Sequence, residues 1–306
     1  MSPLRILLIG GDAWAAARAR ELRAAIPGLV VQSVGVGAGA STGTAAAEVS
    51  AVQASALAHL ALGDGRERAV EAVAERCDAV ARTETQVREF IERAVAFERR
   101  RRAHRLPPDL PPAIAPWSPG WAGAAARLGD RISAVFGERD ADVQHIGSTS
   151  VEGLPAKDII DLQVSVDRLG TCDEVADDLQ SAGFVDVQAL APLAPGVARD
   201  HPRDAVSGPD QWEKRLYAGV DSDQRVIVHV RRRGAANWRY ALLFRDWLRA
   251  DAAARDEYAE LKAGIAAEHA RDAHFDDYAR AKDFWFDRAA VAAEAWTRSC
   301  AWTPTR

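Results

Sequence analysis

Asp161 lies within an apolar, β-branched run, Ile159 to Val166, that reads as a buried strand. Side chains alternate along a strand, so Ile159, Asp161 and Gln163 share one face, while Asp158, Ile160 and Leu162 share the other. A carboxylate inside such a strand is costly unless it has a partner, usually a metal ion or an arginine. Just upstream stands a small-residue turn, His145-Ile146-Gly147-Ser148-Thr149-Ser150. Its backbone N–H groups and hydroxyls suit phosphate oxygens. Lys157 falls between turn and strand, a noticeable placement in a chain with only four lysines (Lys157, Lys214, Lys262, Lys282). A second apolar strand, Arg225-Val226-Ile227-Val228-His229-Val230-Arg231, carries His229 in its middle, and Arg215 precedes it. Carboxylate, histidine, hydroxyl and cation together suggest chemistry on a phosphate-bearing substrate. His145 has a structural reading, fixing the turn through a backbone hydrogen bond. Asp158, pointing away from Asp161, is expected to meet an arginine or solvent.

The elements that must position these residues follow from patterning. At 306 residues the chain is long for one domain and natural for two. Leu4–Gly10 reads as a first strand, Ala13–Ala25 as a helix stopped by Pro27-Gly28, and Leu29–Val36 as a second strand. Helices are expected over Thr44–Leu60 and Gly65–Arg76, a short strand at Asp78–Arg82 and a helix at Glu84–Arg102. No GxxxxGK[ST] and no lysine occurs in this part, so a P-loop is excluded. The four-arginine run Arg99–Arg102 reads as a solvated helix end, favoured by the helix dipole. Six prolines between Pro107 and Pro119 then favour extended chain. The domains expected are 1–104, a small α/β domain without catalysis, a linker at 105–119, and 120–306.

In the second domain, a helix at Gly120–Phe136 precedes the strand Val143–Ile146. A further helix is expected near Cys172–Ala182, and residues 189–210 read as a long mobile loop. The helical tail from Asn237 repeats Tyr240, Leu243, Phe244 and Trp247 at spacings of three and four, as one buried face requires.

A net charge of −5, with +3 in residues 1–105 and −8 in the rest, argues against general nucleic-acid binding. Cys77, Cys172 and Cys300 form no CxxC pair, which supports neither a zinc site nor a disulfide framework. No run reaches membrane length and the first residues do not read as a signal peptide, so a cytoplasmic location is expected.

Gly147-Ser148 followed by Asp161-Leu162-Gln163-Val164 resembles the nucleotidyltransferase signature, a Gly-Ser turn and then alternating acidic and hydrophobic strand residues. More narrowly, His145-Ile146-Gly147-Ser148-Thr149-Ser150, Gly153-Leu154, Ala156-Lys157, Ile160-Asp161, Phe244-Arg245-Asp246, Tyr258, Leu261-Lys262 and Tyr278 with Lys282 resemble the GrpB family. The resemblance spans about residues 117–290 and is close to the version fused behind dephospho-CoA kinases. It implies an α+β nucleotidyltransferase-fold domain with a helical tail, behind an α/β N-terminal domain. It also implies transfer of a nucleotidyl group, or adenylation-coupled ligation, from ATP or another NTP to a small-molecule acceptor. Asp161 and His229 would be catalytic. Asp161, Gln163 and His229 would hold Mg²⁺ or Mn²⁺, one ion polarising the attacking oxygen and another holding pyrophosphate. Gly147, Ser148, Thr149, Lys157, Arg215 and Arg245 would hold phosphate. The second carboxylate of the nucleotidyltransferase signature falls on uncharged Gln163, which motivates the alternative of an inactive nucleotide-binding or docking module. Residues 1–104 resemble a low-molecular-weight phosphotyrosine phosphatase that has lost its cysteine and arginine, Gly10 and Ala16 standing there. Such a domain would dock or oligomerise.

Overall fold

The computed structural model describes residues 5–10, 12–26, 29–35, 58–63, 79–81, 83–272 and 276–304. They form two compact units, one of Met1–Leu106, Asp177–Val185 and Val220–Asp223, the other of Pro107–Ala176, Asp186–Gly219 and Gln224–Arg306.

In the first unit β1 (Arg5–Gly10) leads into α1 (Asp12–Ala25), and β2 (Val30–Gly35) returns parallel to β1. β3 (Ala58–Gly63) and β4 (Ala79–Ala81) complete a parallel sheet of order β2-β1-β3-β4. The helix expected over Thr44–Leu60 therefore does not reach its end, because residues 58–60 belong to β3. Alanine and leucine favour a helix locally, but parallel pairing of β3 with β1 on one side and β4 on the other overrides that preference. The rest of that expected helix, and the one at 65–76, lie outside the described residues. α2 (Glu84–Ala103) begins with a complete capping box between Thr83 and Gln86. Leu22 and Ile26 of α1 pack with Phe90, Ala94 and Phe97 of α2 in one core. The arginine run is not simply solvated. Arg101 grips Glu98 with two hydrogen bonds of 2.8 Å and Arg102 adds one of 2.7 Å. These contacts hold the Glu98 carboxyl below its usual range, against its burial.

The second unit carries the apolar strand pattern seen in the sequence. α3 (Gly120–Phe136) precedes β5 (Asp142–Ile146), a 3₁₀ turn at Ser148–Ser150, and β6 (Ile159–Val166). The expected helix near Cys172 is broken into α4 (Thr171–Glu174) and α5 (Ala176–Ser181), residues 177–185 counting with the first unit. β7 (Phe184–Asp186), α6 (Val187–Leu190), β8 (Lys214–Gly219) and β9 (Arg225–Arg232) follow. The mixed sheet has order β5-β6-β9-β8-β7, with β6 and β9 parallel and β5–β6 and β8–β9 antiparallel. One face is apolar: Ile160, Leu162, Val164, Val226, Val228 and Val230 are each at most 3% exposed. The other face carries Asp161, Gln163, His229, Arg231 and, across the β8–β9 ladder, Lys214.

The tail folds as α7 (Ala236–Ala250), α8 (Ala252–Glu268), α9 (Asp276–Arg280) and α10 (Asp283–Cys300). Leu243, Phe244 and Trp247 of α7 meet Tyr258 and Trp285 in an aromatic core, Tyr258 stacking on Trp285 with ring centroids 4.5 Å apart. Among the described residues no helix is long and apolar enough to cross a membrane.

Candidate functional site

A cavity of about 430 Å³ opens between the polar face of the sheet, the turn after β5 and the helical tail. Gly147, Ser148, Thr149, Lys157, Asp161 and His229 all line it, so six of the sequence-predicted residues meet in one place. The β5–β6 register sets Ile146 opposite Asp161, which brings the turn beside the carboxylate. Gly147 has φ +69°, and a Cβ there would stand 2.4 Å from Asp161 Oδ2. No larger residue fits without moving Asp161. The turn is braced from behind. Ser150 Oγ donates to the Gly147 carbonyl at 2.6 Å, and Arg249 grips the Ser150 carbonyl at 2.7 and 3.1 Å.

Asp161 is ionised. Burial favours its neutral form, but the His229 contact and the Lys157 charge hold its carboxyl below the ordinary range. His229 Nε2 stands 3.5 Å from Asp161 Oδ1. On the ring's other side, Lys214 Nζ and Arg231 Nη2 each lie 3.4 Å from Nδ1. Those two groups only donate, so Nδ1 is the acceptor and the hydrogen sits on Nε2, facing Asp161. Burial, with Lys214 and Arg231 adding, pushes the His229 pKa down to about 4, so the ring is neutral at pH 7. His229 is thus an orienting donor to Asp161; the expected roles of metal ligand and base would need the lone pair that Nδ1 has already committed.

Behind His229 lies a buried polar network. Asp200 accepts from Lys214 at 2.7 Å, Arg231 at 2.8 Å and Asn237 at 3.1 Å. Burial opposes its charge, but Arg231 and Lys214 hold its carboxyl far below the usual range.

Several expected roles are corrected. Gln163 is fully buried, its Oε1 accepting from Arg231 at 2.8 Å and its Nε2 donating to the Trp238 carbonyl at 3.2 Å. Both ends of the amide are spent, so Gln163 is no metal ligand. Among the described residues no group of three or more His, Cys, Asp and Glu could hold a metal ion. Of the expected Mg²⁺ or Mn²⁺ set, Gln163 and the His229 Nδ1 lone pair are already engaged, which leaves Asp161. Thr149 Oγ1 bonds His145 Nε2 at 2.9 Å, locking the turn instead of presenting a free hydroxyl. His145 is structural as expected, but through that side chain, and its own carbonyl accepts from Arg245 at 3.1 Å. Burial pushes the His145 pKa down to about 4. Arg245 is itself buried against Asp246 at 2.7 Å, so it braces β5 and does not line the cavity. Arg215 is excluded by alternation: it pairs with Val230 on the apolar side of β8–β9 and reaches Asp173 at 3.1 Å. Its neighbour Lys214 takes the site-facing position. Asp158 is exposed to solvent, as expected, and also accepts from the Trp121 indole at 2.7 Å.

The tail contributes what the strands did not reveal. Lys262 of α8 and Lys282, just before α10, also line the cavity. In the sequence they stand out by the scarcity of lysine and as part of the GrpB pattern, Leu261-Lys262 and Tyr278 with Lys282, without a site role attached. Residues 189–210 are not a free loop either: Arg203 bonds Asp283 at 2.6 Å and Asp287 at 2.8 Å, and its guanidinium sits 5.1 Å from the Phe286 ring centroid.

A helix-flanked mixed sheet that presents a Gly-Ser turn to an in-strand aspartate defines a site of the kind the sequence motifs describe. The chain belongs to the GrpB family, whose description "GrpB protein" matches residues 111–291. It is similar to the dephospho-CoA kinase of Mycolicibacterium paratuberculosis, 35% identical over 203 residues, which is 63% of this chain and 49% of that protein. The chain thus spans about half the length of the dephospho-CoA kinases it matches. A UPF0157 protein of Streptomyces coelicolor is 37% identical over 162 residues, 53% of this chain and 73% of that one. The crystal structure of the conserved protein GrpB from Enterococcus faecalis aligns with a TM-score of 0.48 at 23% identity, covering 60% of this chain and 99% of that one.

Proposed function

We propose that the cavity binds ATP or another nucleoside triphosphate and passes its nucleotidyl group to a small-molecule acceptor, on a domain of the nucleotidyltransferase fold. The carrying observation is the convergence of the Gly147-Ser148 turn, Lys157 and the ionised Asp161 in one cavity. In the reaction an acceptor oxygen forms a bond to the α-phosphorus, and the bond from that phosphorus to the bridging oxygen breaks. Pyrophosphate leaves with the electron pair, and the acceptor's proton passes to Asp161 and on to water. Gly147 and Ser148 cradle phosphate, Lys157 neutralises it, and His229 fixes the Asp161 carboxylate. The cavity's size suits a nucleotide with a small acceptor, not a nucleic acid. The name dephospho-CoA kinase describes whole proteins of which this chain matches about half, and kinase activity is not carried over.

A second reading, a nucleotide-binding module without transfer, is favoured by one observation. Gln163 stands where the nucleotidyltransferase signature has a second carboxylate, and its amide is fully engaged.

Pyrophosphate release, measured over the four common NTPs with pooled small carboxylates, amines and alcohols, separates the two. Transfer is expected to give release that falls at least about a hundredfold in Asp161→Asn. Nucleotide binding without any release would favour the module, and equal release from the variant would remove Asp161 from the reaction.

A further inference from the structure

The chain contains four lysines, and three of them, Lys157, Lys262 and Lys282, line this one cavity. They come from distant points of the sequence. Lys157 precedes β6, Lys262 lies in the penultimate turns of α8, and Lys282 stands at the start of α10. Tyr278 gathers two of them, with the Lys282 and Lys157 ammonium groups 4.2 and 4.9 Å from its ring centroid. Lys262 lies 4.6 Å from the Tyr258 ring centroid and donates to the Pro155 carbonyl. For Lys262 both of these partners, the ring and the carbonyl, are neutral; they orient its ammonium group without cancelling its charge. Lys262 is 2% exposed. Asp161 offsets part of the charge, but like charges gathered in a half-enclosed space still repel, and a polyvalent anion relieves the remainder.

We propose that Lys157, Lys262 and Lys282, gathered on one wall of the cavity, form a metal-independent subsite for a compact polyphosphate. This rests on the nucleotide reading and names where the β- and γ-phosphates, and then the departing pyrophosphate, would sit. The lysines supply the countercharge that the spent Gln163 cannot help a metal ion to supply.

Among the described residues, the charged groups that act on the two tail lysines are these. Lys282 feels Lys157, Asp161 and Asp283; Lys262 feels Lys282. Burial, with the neighbouring lysine adding in each case, pushes both amines down to about 7. At pH 8 both are therefore largely neutral in the free protein. A bound polyphosphate favours their charged forms and raises both values, so binding takes up protons.

The probes are inorganic pyrophosphate and tripolyphosphate, titrated calorimetrically into the full chain at pH 8 with EDTA present. Two buffers of different ionisation enthalpy report the protons exchanged. The expected result is binding without divalent metal, with uptake of one to two protons per anion, and affinity about tenfold weaker in Lys262→Met and in Lys282→Met. Each variant should also take up less proton. Thermal melts establish that the variants are folded, and Lys282→Met, the less buried of the two, serves should Lys262→Met fail. Binding that needs a divalent metal, binding without proton uptake, or no binding overturns the subsite. The two readings fail separately. Pyrophosphate binding with no nucleotide turnover leaves the subsite standing and removes the transfer. Turnover with no proton-linked pyrophosphate binding does the reverse.

Discussion

At the scale of single residues, the site depends on how little freedom Asp161 has. Gly147 presses on it from one side and the His229 Nε2–H faces it from another. Gly147→Ala would introduce a Cβ 2.4 Å from Oδ2, at a φ that side chains rarely adopt. It should cost about 1–3 kcal/mol of stability and displace the carboxylate. Chemical denaturation should register the first effect, and loss of nucleotide binding the second; a variant with wild-type stability and binding would mean the close approach is unimportant. The His229 tautomer is open to direct observation. Nitrogen-15 NMR should show a neutral ring with its hydrogen on Nε2 from pH 8 down to about 5, because its pKa lies near 4. A hydrogen on Nδ1 would contradict the donor-only surroundings of that nitrogen. Two residues at this scale depart from what their local sequence suggests. Arg215 is expected at the site, but alternation along β8 puts Lys214 there instead, and Gln163 has a role that its lack of charge does not show. Its two hydrogen bonds, to Arg231 and the Trp238 carbonyl, join residues far apart in the sequence, which no local pattern reveals.

At the scale of elements, what the sequence made legible was what periodicity encodes. The helix at Gly120–Phe136, the strands bearing Asp161 and His229, and the buried face of α7 all follow from apolar spacing. The placement of the turn beside Asp161 followed from the motif. β3 was misread because alanine and leucine prefer a helix until neighbouring strands offer them hydrogen bonds. The tail lysines were passed over as site residues because they reach the cavity only once α8 and α10 fold back on the sheet. Residues 189–210 read as mobile, yet Arg203 ties them to α10 through Asp283 and Asp287 while only 10% exposed. Arg203→Ala should raise hydrogen exchange in this segment while lowering stability by no more than about 1–2 kcal/mol. Unchanged exchange would show that the tie does not hold the segment.

At the scale of the whole molecule, the buried titrating groups set a pH profile. His145 and His229 have folded values near 4, below the ordinary 6.5, so the unfolded chain binds more protons between pH 6.5 and 4. Stability is therefore lost as pH falls through that window, by at most roughly 3 kcal/mol for each histidine. Lys262 and Lys282, near 7 in the folded chain against 10.5, bind fewer protons than the unfolded chain between pH 7 and 10.5. Stability should consequently keep rising with pH above 7, and Lys262→Met should flatten that rise. Unfolding midpoints measured in steps from pH 4.5 to 9 would check both limbs; a maximum near pH 6 would contradict the lysine limb.

The most direct test of the cavity as a nucleotide site is equilibrium binding of ATP, CTP, GTP and UTP to the full chain, alongside Lys157→Met and Asp161→Asn. At least one nucleotide is expected to bind, with affinity weakened about tenfold in Lys157→Met and changed in Asp161→Asn. Binding that neither substitution alters would place the nucleotide elsewhere, and no binding of any of the four would contradict the proposed function itself.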